Sequence, residues 1–295
     1  MIEKNYDISV LSAIVPIRPS LKDCKNVESW LSKPGAEAVT FILVLDRPTP
    51  EIGNLIDSFL VKFPSIDLVI VSGDFGGPGK ARNAGLPFVK SEFLMFWDSD
   101  DSPRIDTILA NLPNQSLNGG VVSIGGFCLK EELKPSREFV PSNLLEVACN
   151  PGLWRVIISS DLVGDIKFED LNLAEDQIFF IQILLKAQSI ELIPEVFYEY
   201  NYGLLGQLTS TTNFEDLCVA ISKISKIIYK KRKSDKVIFP LDVFLKQTLS
   251  LLLNGNWYVK VYALIEYIKI LAILPMKVIK ETNAVSSEVK RKRFK

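Results

Sequence analysis

Three carboxylates crowd the end of an apolar run in this sequence. Phe93–Trp97 is unbroken and aromatic, and Asp98, Asp100 and Asp101 follow it within four residues. An apolar run of this length predicts a buried strand, and open α/β sheets bind ligands at the carboxyl ends of their strands. Neighbouring carboxylates repel one another, so the cluster favours Mg²⁺ or Mn²⁺ shared with a substrate phosphate. The simpler alternative is that Asp101 or Ser102 caps a helix whose first residue is Pro103.

A glycine-rich turn precedes this strand and opens a helix. Residues 76–85 read Gly-Gly-Pro-Gly-Lys-Ala-Arg-Asn-Ala-Gly, and they match neither the Walker A pattern nor the dinucleotide-binding pattern. Lys80 and Arg82 fall in the first helical turn, where cations oppose the helix dipole unless an anion is present. The turn therefore predicts a diphosphate or nucleotide neighbour, against the alternative of an ordinary turn with solvated charges.

The remaining acids are weaker signals. Asp46 ends a second strand, where aspartate is common turn chemistry but also adjoins the expected nucleotide pocket. Asn172 and Glu175 have the spacing of a capping box, which leaves Asp176 without a structural use. The simpler account of Trp154 and Arg155 is a core tryptophan beside a surface arginine, and a functional role for the pair stays open.

Composition narrows the class of protein. The 295 residues carry a net charge of −1, so nucleic-acid binding is not indicated. The chain has no histidine, so the expected general base is a carboxylate, ahead of lysine, tyrosine or cysteine. Four dispersed cysteines fit a reducing cytosol. We expect no signal peptide, and no apolar run reaches the ~18 residues of a membrane-spanning helix.

Strands and helices alternate in the first half of the chain. Strands are predicted at 10–17, 39–45, 66–71, 93–97, 121–129, 153–158, 190–193 and 196–200, and helices at 21–31, 50–63, 80–89 and 173–185. This order predicts an α/β fold with a mostly parallel sheet and flanking helices. Residues 130–141 are expected to form an exposed loop.

The character of the sequence changes near Thr212. We predict a catalytic domain over 1–212 and a helical extension over 213–295, with helices near 214–231, 241–253 and 257–279 and a basic tail at 290–295. Aromatic, aliphatic and lysine residues mix in 257–269. That mixture suggests peripheral contact with an anionic membrane, against the alternatives of packing on the catalytic domain or a homo-oligomer contact.

Taken in order, these segments resemble family-2 glycosyltransferases with the GT-A fold. The resemblance covers residues 8–212. It rests on Pro16 in the first strand, Asp46, the segment 77–85 with Gly77, Lys80 and Arg82, the segment 96–101, Leu153-Trp154-Arg155, Phe168, the segment 174–177, and 194–200 followed by Leu208-Thr209-Ser210.

The resemblance implies an inverting transfer from a nucleotide sugar, UDP-linked, to a hydroxyl of a glycan or lipid-linked acceptor in bacterial surface polysaccharide synthesis. It implies a site made of Pro16, Gly77 and Lys80 with Asp46 and Arg82 at the nucleotide, Asp98 near the ribose, Asp100 on an Mn²⁺ or Mg²⁺ ion, and Asp176 as the base. The expected location is cytoplasmic, peripheral to the inner face of the membrane.

Two departures from the family concern the nucleotide base. Arg18 and Pro19 follow the first strand where the family often has other residues, and Arg47 follows Asp46 where a second acid is common. Two alternatives stay open, namely a nucleotidylyltransferase that makes a sugar nucleotide and a non-catalytic sugar-nucleotide-binding module.

Overall fold

The computed structural model describes residues 9–113, 120–132, 134–203 and 213–274. The chain forms two compact units. The first comprises Met1–Pro141, Leu153–Asp170 and Lys186–Gln207, and the second comprises Ser142–Gly152, Leu171–Leu185 and Leu208–Lys295. The Leu208-Thr209-Ser210 motif and the basic tail lie outside the described residues.

One sheet organises the first unit. Its strands are β1 (Leu11–Ile17), β2 (Val39–Asp46), β3 (Asp67–Gly73), β4 (Phe93–Phe96), β5 (Ser102–Pro103), β6 (Val121–Glu131), β7 (Arg137–Phe139), β8 (Val156–Ser159) and β9 (Ser189–Tyr202). They lie in the order β3-β2-β1-β4-β8-β6-β9-β5, with β7 paired to β6. Strands β1 to β4 pair in parallel, as do β6 and β9, whereas β8, β5 and β7 pair antiparallel to their neighbours. The predicted mostly parallel α/β sheet is therefore confirmed.

The residue before each of the first two helices caps it. Ser20 accepts a hydrogen bond from the backbone N–H of Asp23 at the start of α1 (Leu21–Leu31), and Thr49 accepts one from Ile52 at the start of α2 (Pro50–Lys62). The helix α3 (Pro78–Gly85) is shorter than predicted and continues as a 3₁₀ turn over 86–88. Pro87 has no N–H for a further α-helical bond, which accounts for the tighter turn.

Both faces of the central strands are buried. On one face Trp97 packs edge-on against Trp30 of α1 and Phe41 of β2, with ring centroids 6.1 and 5.8 Å away. On the other face α3 lies close to the sheet, since a Cβ at Gly85 would stand 2.8 Å from the Ile14 side chain. The carboxyl ends of β1, β2 and β4 are thereby held at one edge beside α3.

Several local predictions are wrong because they ignored strand pairing. Neither Asp101 nor Ser102 caps a helix that begins at Pro103. Ser102 and Pro103 form β5 against β9, and α4 (Ile105–Ala110) begins after Arg104. The expected loop at 130–141 contains β7, and 153–155 is a 3₁₀ turn ahead of β8. The two short segments predicted at 190–200 are one strand, β9, with register shifts around Gly126.

Helices dominate the second unit. They are α5 (Leu144–Cys149), α6 (Glu175–Lys186), α7 (Phe214–Lys231), α8 (Ile238–Asn254) and α9 (Trp257–Ile273). In the described part of the chain one stretch, Asp235–Asn254, is long and apolar enough to cross a membrane, but 56% of its apolar 18-residue window is buried in the fold. That burial is typical of a core helix.

Candidate active site

The acids after β4 are separated by a tight turn. The backbone N–H of Asp101 donates to the Asp98 carbonyl over 3.1 Å. Tyr198 of β9 fixes the start of the turn, because the Asp98 N–H donates to its hydroxyl over 2.8 Å. The turn therefore gives Asp98, Asp100 and Asp101 different surroundings.

Asp98 pairs with Arg82 of α3. The Nη2 atom of the buried Arg82 lies 2.7 Å from Oδ1 of Asp98, and its guanidinium lies 5.5 Å from the Phe168 ring centroid. Desolvation raises the pKa of Asp98, Asp100 adds to that rise, and Arg82 opposes it. The structure thus brings together two residues that the sequence assigned to nucleotide binding.

Asp100 pairs with Arg18, which follows β1. The guanidinium of Arg18 donates through Nη2 to Asp100 and through Nε to Asp23 of α1, each over 3.0 Å. Burial alone would lower the pKa of Arg18, but the carboxylates of Asp100 and Asp23 outweigh it and raise that pKa. Arg18 is thus anchored by α1 and faces the predicted metal ligand.

Asp101 has a structural role. It is fully buried, and its Oδ1 accepts the backbone N–H of Asn201 over 2.8 Å. Within the described residues its Oδ2 has no hydrogen-bond partner. Desolvation, with repulsion from Asp98 and Asp100, raises its pKa well above the usual range. A carboxyl in this position is favoured in its protonated form, which relieves the repulsion among the three acids.

Asp46 shapes the loop after β3. Its Oδ1 accepts the N–H groups of Phe75 and Gly76 over 2.7 and 3.1 Å. The next residue, Arg47, has a φ of 51°, a conformation that non-glycine residues seldom adopt. Such strain persists only where the surroundings impose it, and it concentrates at functional sites.

The turn before α3 contains the other predicted residues. Gly77 is the residue before the helix and has a φ of 154°. Lys80, in the first turn, lies 2.9 Å from the carboxylate of Asp170, and both side chains are substantially exposed. The last residue pair between β1 and β4 is Ile14 with Phe96, and Pro16 lies two residues beyond it. Proline has no N–H for a hydrogen bond between strands, and at this position β4 offers no paired residue that would need one.

Asp176 belongs to the second unit, in the first turn of α6. Its Oδ1 accepts the backbone N–H of Gln177 over 2.8 Å. The predicted capping box is wrong, because α6 begins at Glu175 and the residue before it is Ala174. Glu175 is buried instead, and Ala174 has a φ of 67°. A second residue with positive φ therefore lies two positions before Asp176.

Trp154 and Arg155 are both buried, so the prediction of a surface arginine is wrong. Trp154 stacks on Tyr198 and Tyr200, with centroids 4.7 and 5.4 Å away. Arg155 is 2% exposed, lies 5.0 Å from the Phe127 centroid, and has its pKa lowered to about 10 by burial. The sequence did not identify Tyr198 or Asn201 as partners of the acids, since each is about a hundred residues from them along the chain.

The acids suit a shared cation better than a preformed metal centre. No cluster of three or more acidic or cysteine side chains placed to hold an ion occurs in the described ranges. Mg²⁺ is usually held by one or two carboxylates together with substrate phosphates and waters. Asp98 and Asp100 fit that donor set.

A family model and several curated relatives match the chain. The model of glycosyl transferase family 2 matches residues 16–127. The poly(ribitol-phosphate) β-N-acetylglucosaminyltransferase TarS of Staphylococcus aureus is 26% identical over 205 residues, which are 64% of this chain and 35% of TarS. A poly(ribitol-phosphate) β-glucosyltransferase of Bacillus spizizenii is 25% identical over 211 residues, which are 65% of this chain and 32% of that enzyme. The chain thus spans about a third of the length of these relatives.

Solved structures share the fold. The crystal structure of S. aureus TarS residues 1–349 with UDP-GlcNAc has a TM-score of 0.67 and 20% identity, covering 91% of this chain and 82% of that one. The mannosyltransferase PcManGT of Pyrobaculum calidifontis, with GDP-Man and Mn²⁺, has a TM-score of 0.52 and 14% identity, covering 96% and 88%. The chain is therefore similar to glycosyl transferase family 2 over residues 16–127, and it has the GT-A fold of these solved structures.

Proposed function

We propose that the chain is an inverting glycosyltransferase that uses a UDP-sugar and a hydroxyl of a phosphate-containing surface glycan, free or lipid-linked. One observation carries the proposal. Asp98 and Asp100 follow β4 within the family match, and each is neutralised by an arginine, Arg82 and Arg18. Two relatives act on the same acceptor, poly(ribitol phosphate), with different sugars, which supports the acceptor class more than the sugar.

Three cations of the site could bind a diphosphate. Arg82, Arg18 and Lys80 each pair with a carboxylate that a nucleotide can compete for. Guanidinium groups bind phosphate oxygens through two parallel hydrogen bonds, and negative charge grows on those oxygens as the sugar leaves. These cations would therefore stabilise the departing nucleoside diphosphate more strongly than the intact donor.

A divalent cation would be held by Asp100, with Asp98 beside it. Bound there, Mn²⁺ or Mg²⁺ would supply Lewis-acid stabilisation of the diphosphate. The structural relative with GDP-Man and Mn²⁺ supports this choice.

Asp176 is proposed as the general base. In the transfer, the acceptor oxygen bonds to the anomeric carbon, the bond from that carbon to the diphosphate breaks, and the acceptor proton passes to Asp176. The chain contains no histidine, so a carboxylate is the natural acceptor of this proton. Asp176 is half-buried and directly follows the strained Ala174 and the buried Glu175.

The test is a screen of UDP-sugars and GDP-mannose against poly(ribitol phosphate) and poly(glycerol phosphate), with release of the nucleoside diphosphate as the readout. We expect transfer from at least one UDP-sugar, and its loss in Asp100→Asn. Asp57→Asn, an exposed acid on α2, is the matched control and should stay active.

Two results would contradict the proposal. Release of pyrophosphate from a nucleoside triphosphate and a sugar phosphate, without transfer, would indicate a nucleotidylyltransferase. Tight donor binding without turnover on any acceptor would indicate a binding module.

A further inference from the structure

The outward side of α9 is apolar. Eight of its side chains are at least 36% exposed: Trp257, Tyr258, Val261, Tyr262, Leu264, Ile265, Ile268 and Leu271. At about 100° per residue they cover roughly half of the helix circumference, and the buried residues Ala263, Glu266 and Ile270 occupy the opposite side. A soluble helix normally shows the reverse pattern, and contiguous exposed apolar patches mark interaction sites.

Lysines border this apolar face. Lys260 and Lys269 lie on its two sides at the helical spacing, and both are exposed. Lys269 is held 2.8 Å from Glu266, whose other oxygen accepts the Ser225 hydroxyl of α7 over 2.8 Å. These contacts fix one lysine beside the groove between α7 and α9.

That groove contains a cavity of about 280 Å³. Lys226, Lys230 and Lys269 line it with Tyr229, and Ile270 and Ile273 make its apolar part. A cavity with cations at its rim and an apolar lining suits an amphiphile that has an anionic headgroup.

Positive charge predominates around the cavity. Between residues 223 and 236 the sequence has seven lysines and arginines and a single carboxylate, Asp235. The carboxyl-terminal end of α7 and the residues that follow it therefore attract an extended anionic surface.

We propose that the α7–α9 face docks on the surface of an anionic lipid bilayer. A second copy of the chain is disfavoured because it would bring like charges together, and the cores of protein interfaces are depleted in lysine. An apolar helix face with aromatic residues and flanking lysines is the composition of helices that lie in a membrane interface. Lysine stems can extend along the apolar face while their ammonium groups reach lipid phosphates.

Vesicle flotation of the full chain tests the docking without any glycosyl transfer. The probes are vesicles of equimolar phosphatidylcholine and phosphatidylglycerol, and vesicles of phosphatidylcholine alone. We expect binding to the anionic vesicles that weakens at about 0.5 M salt, where surface charges are screened.

Two double variants separate the apolar and ionic contributions. Leu264→Ser with Ile268→Ser removes apolar area, and its control is Leu60→Ser with Val61→Ser on the exposed side of α2. Lys226→Gln with Lys230→Gln should weaken binding about 30-fold, because each cation near an anionic surface contributes about fivefold. The control for this pair is Lys22→Gln with Lys25→Gln on the exposed side of α1.

Circular dichroism confirms that each variant is folded, and light scattering reports its mass. Docking is supported if both α7–α9 variants lose vesicle binding while both controls keep it. Absence of binding by the wild type, equal binding by all variants, or equal binding to neutral vesicles would overturn the proposal. Self-association of the wild type that Leu264→Ser with Ile268→Ser abolishes, without a change in vesicle binding, would assign the face to a second copy instead.

Discussion

Replacing Asp242 with asparagine should stabilise the second unit, and the gain should grow with pH. Asp242 lies on α8 and is 5% exposed, and its Oδ1 has no hydrogen-bond partner in the described part of the chain. Burial raises its pKa from 3.8 to about 7. The folded state therefore holds a proton that the unfolded state releases above about pH 4.

The sign and the size follow from proton linkage. The stability that Asp242 contributes is fully present below about pH 4, falls as the pH rises towards 7, and stays low above that. The difference between the two pKa values corresponds to about 4 kcal/mol at most, at about 1.4 kcal/mol per pH unit. Asparagine does not titrate, so the free energy of unfolding of Asp242→Asn should lack this loss.

The assay is urea unfolding followed by the far-ultraviolet circular dichroism of the helices at a series of pH values from 4.5 to 8, about the span of the titration. Asp235→Asn, an exposed acid of the same unit, is the matched control and should follow the wild type. Parallel pH profiles for Asp242→Asn and the wild type would refute the reasoning, because they would mean that Asp242 is already solvated or paired in the folded state.

Three further substitutions test the site. Asp176→Asn should reduce the transfer rate about 10²–10⁴-fold and leave donor affinity unchanged, because it removes the general base. The measurement is the transfer rate together with the affinity for the nucleotide. A loss of affinity in proportion to the loss of rate would contradict the assignment of Asp176 as the base. Arg18→Gln should raise the affinity of free Mn²⁺ about fivefold in the absence of nucleotide, because a half-exposed ion pair contributes up to about 1 kcal/mol and Asp100 would lose its partner. Electron paramagnetic resonance of Mn²⁺ measures this, and unchanged affinity would mean that Arg18 does not compete with the ion. Trp154→Ala should cost about 3–5 kcal/mol of unfolding free energy through its stacked rings, and a loss below about 1 kcal/mol would show that the tyrosines reclose the gap.

Local features of this chain could be read from its sequence. The helix predicted at 21–31 matches α1, which Ser20 caps within the same turn, and the strand predicted at 39–45 matches β2 because its residues are mostly apolar. The acids at 98–101 were recognisable because they follow such a run. Each of these features is determined either by contacts between residues a few positions apart or by the burial of an apolar segment.

The different partners and burial of the acids depend on tertiary structure. Arg18 and Asp100 are 82 residues apart, and only the parallel pairing of β1 with β4 places both at one edge of the sheet. Asp101 looks like its neighbours in the sequence, yet β9 buries it and Asn201 binds it. Glu175 has the spacing of a capping residue, but α6 begins at that residue. Spacing defines which local contacts are available, whereas burial and charge pairing are set by chain segments that meet only when the sheet assembles.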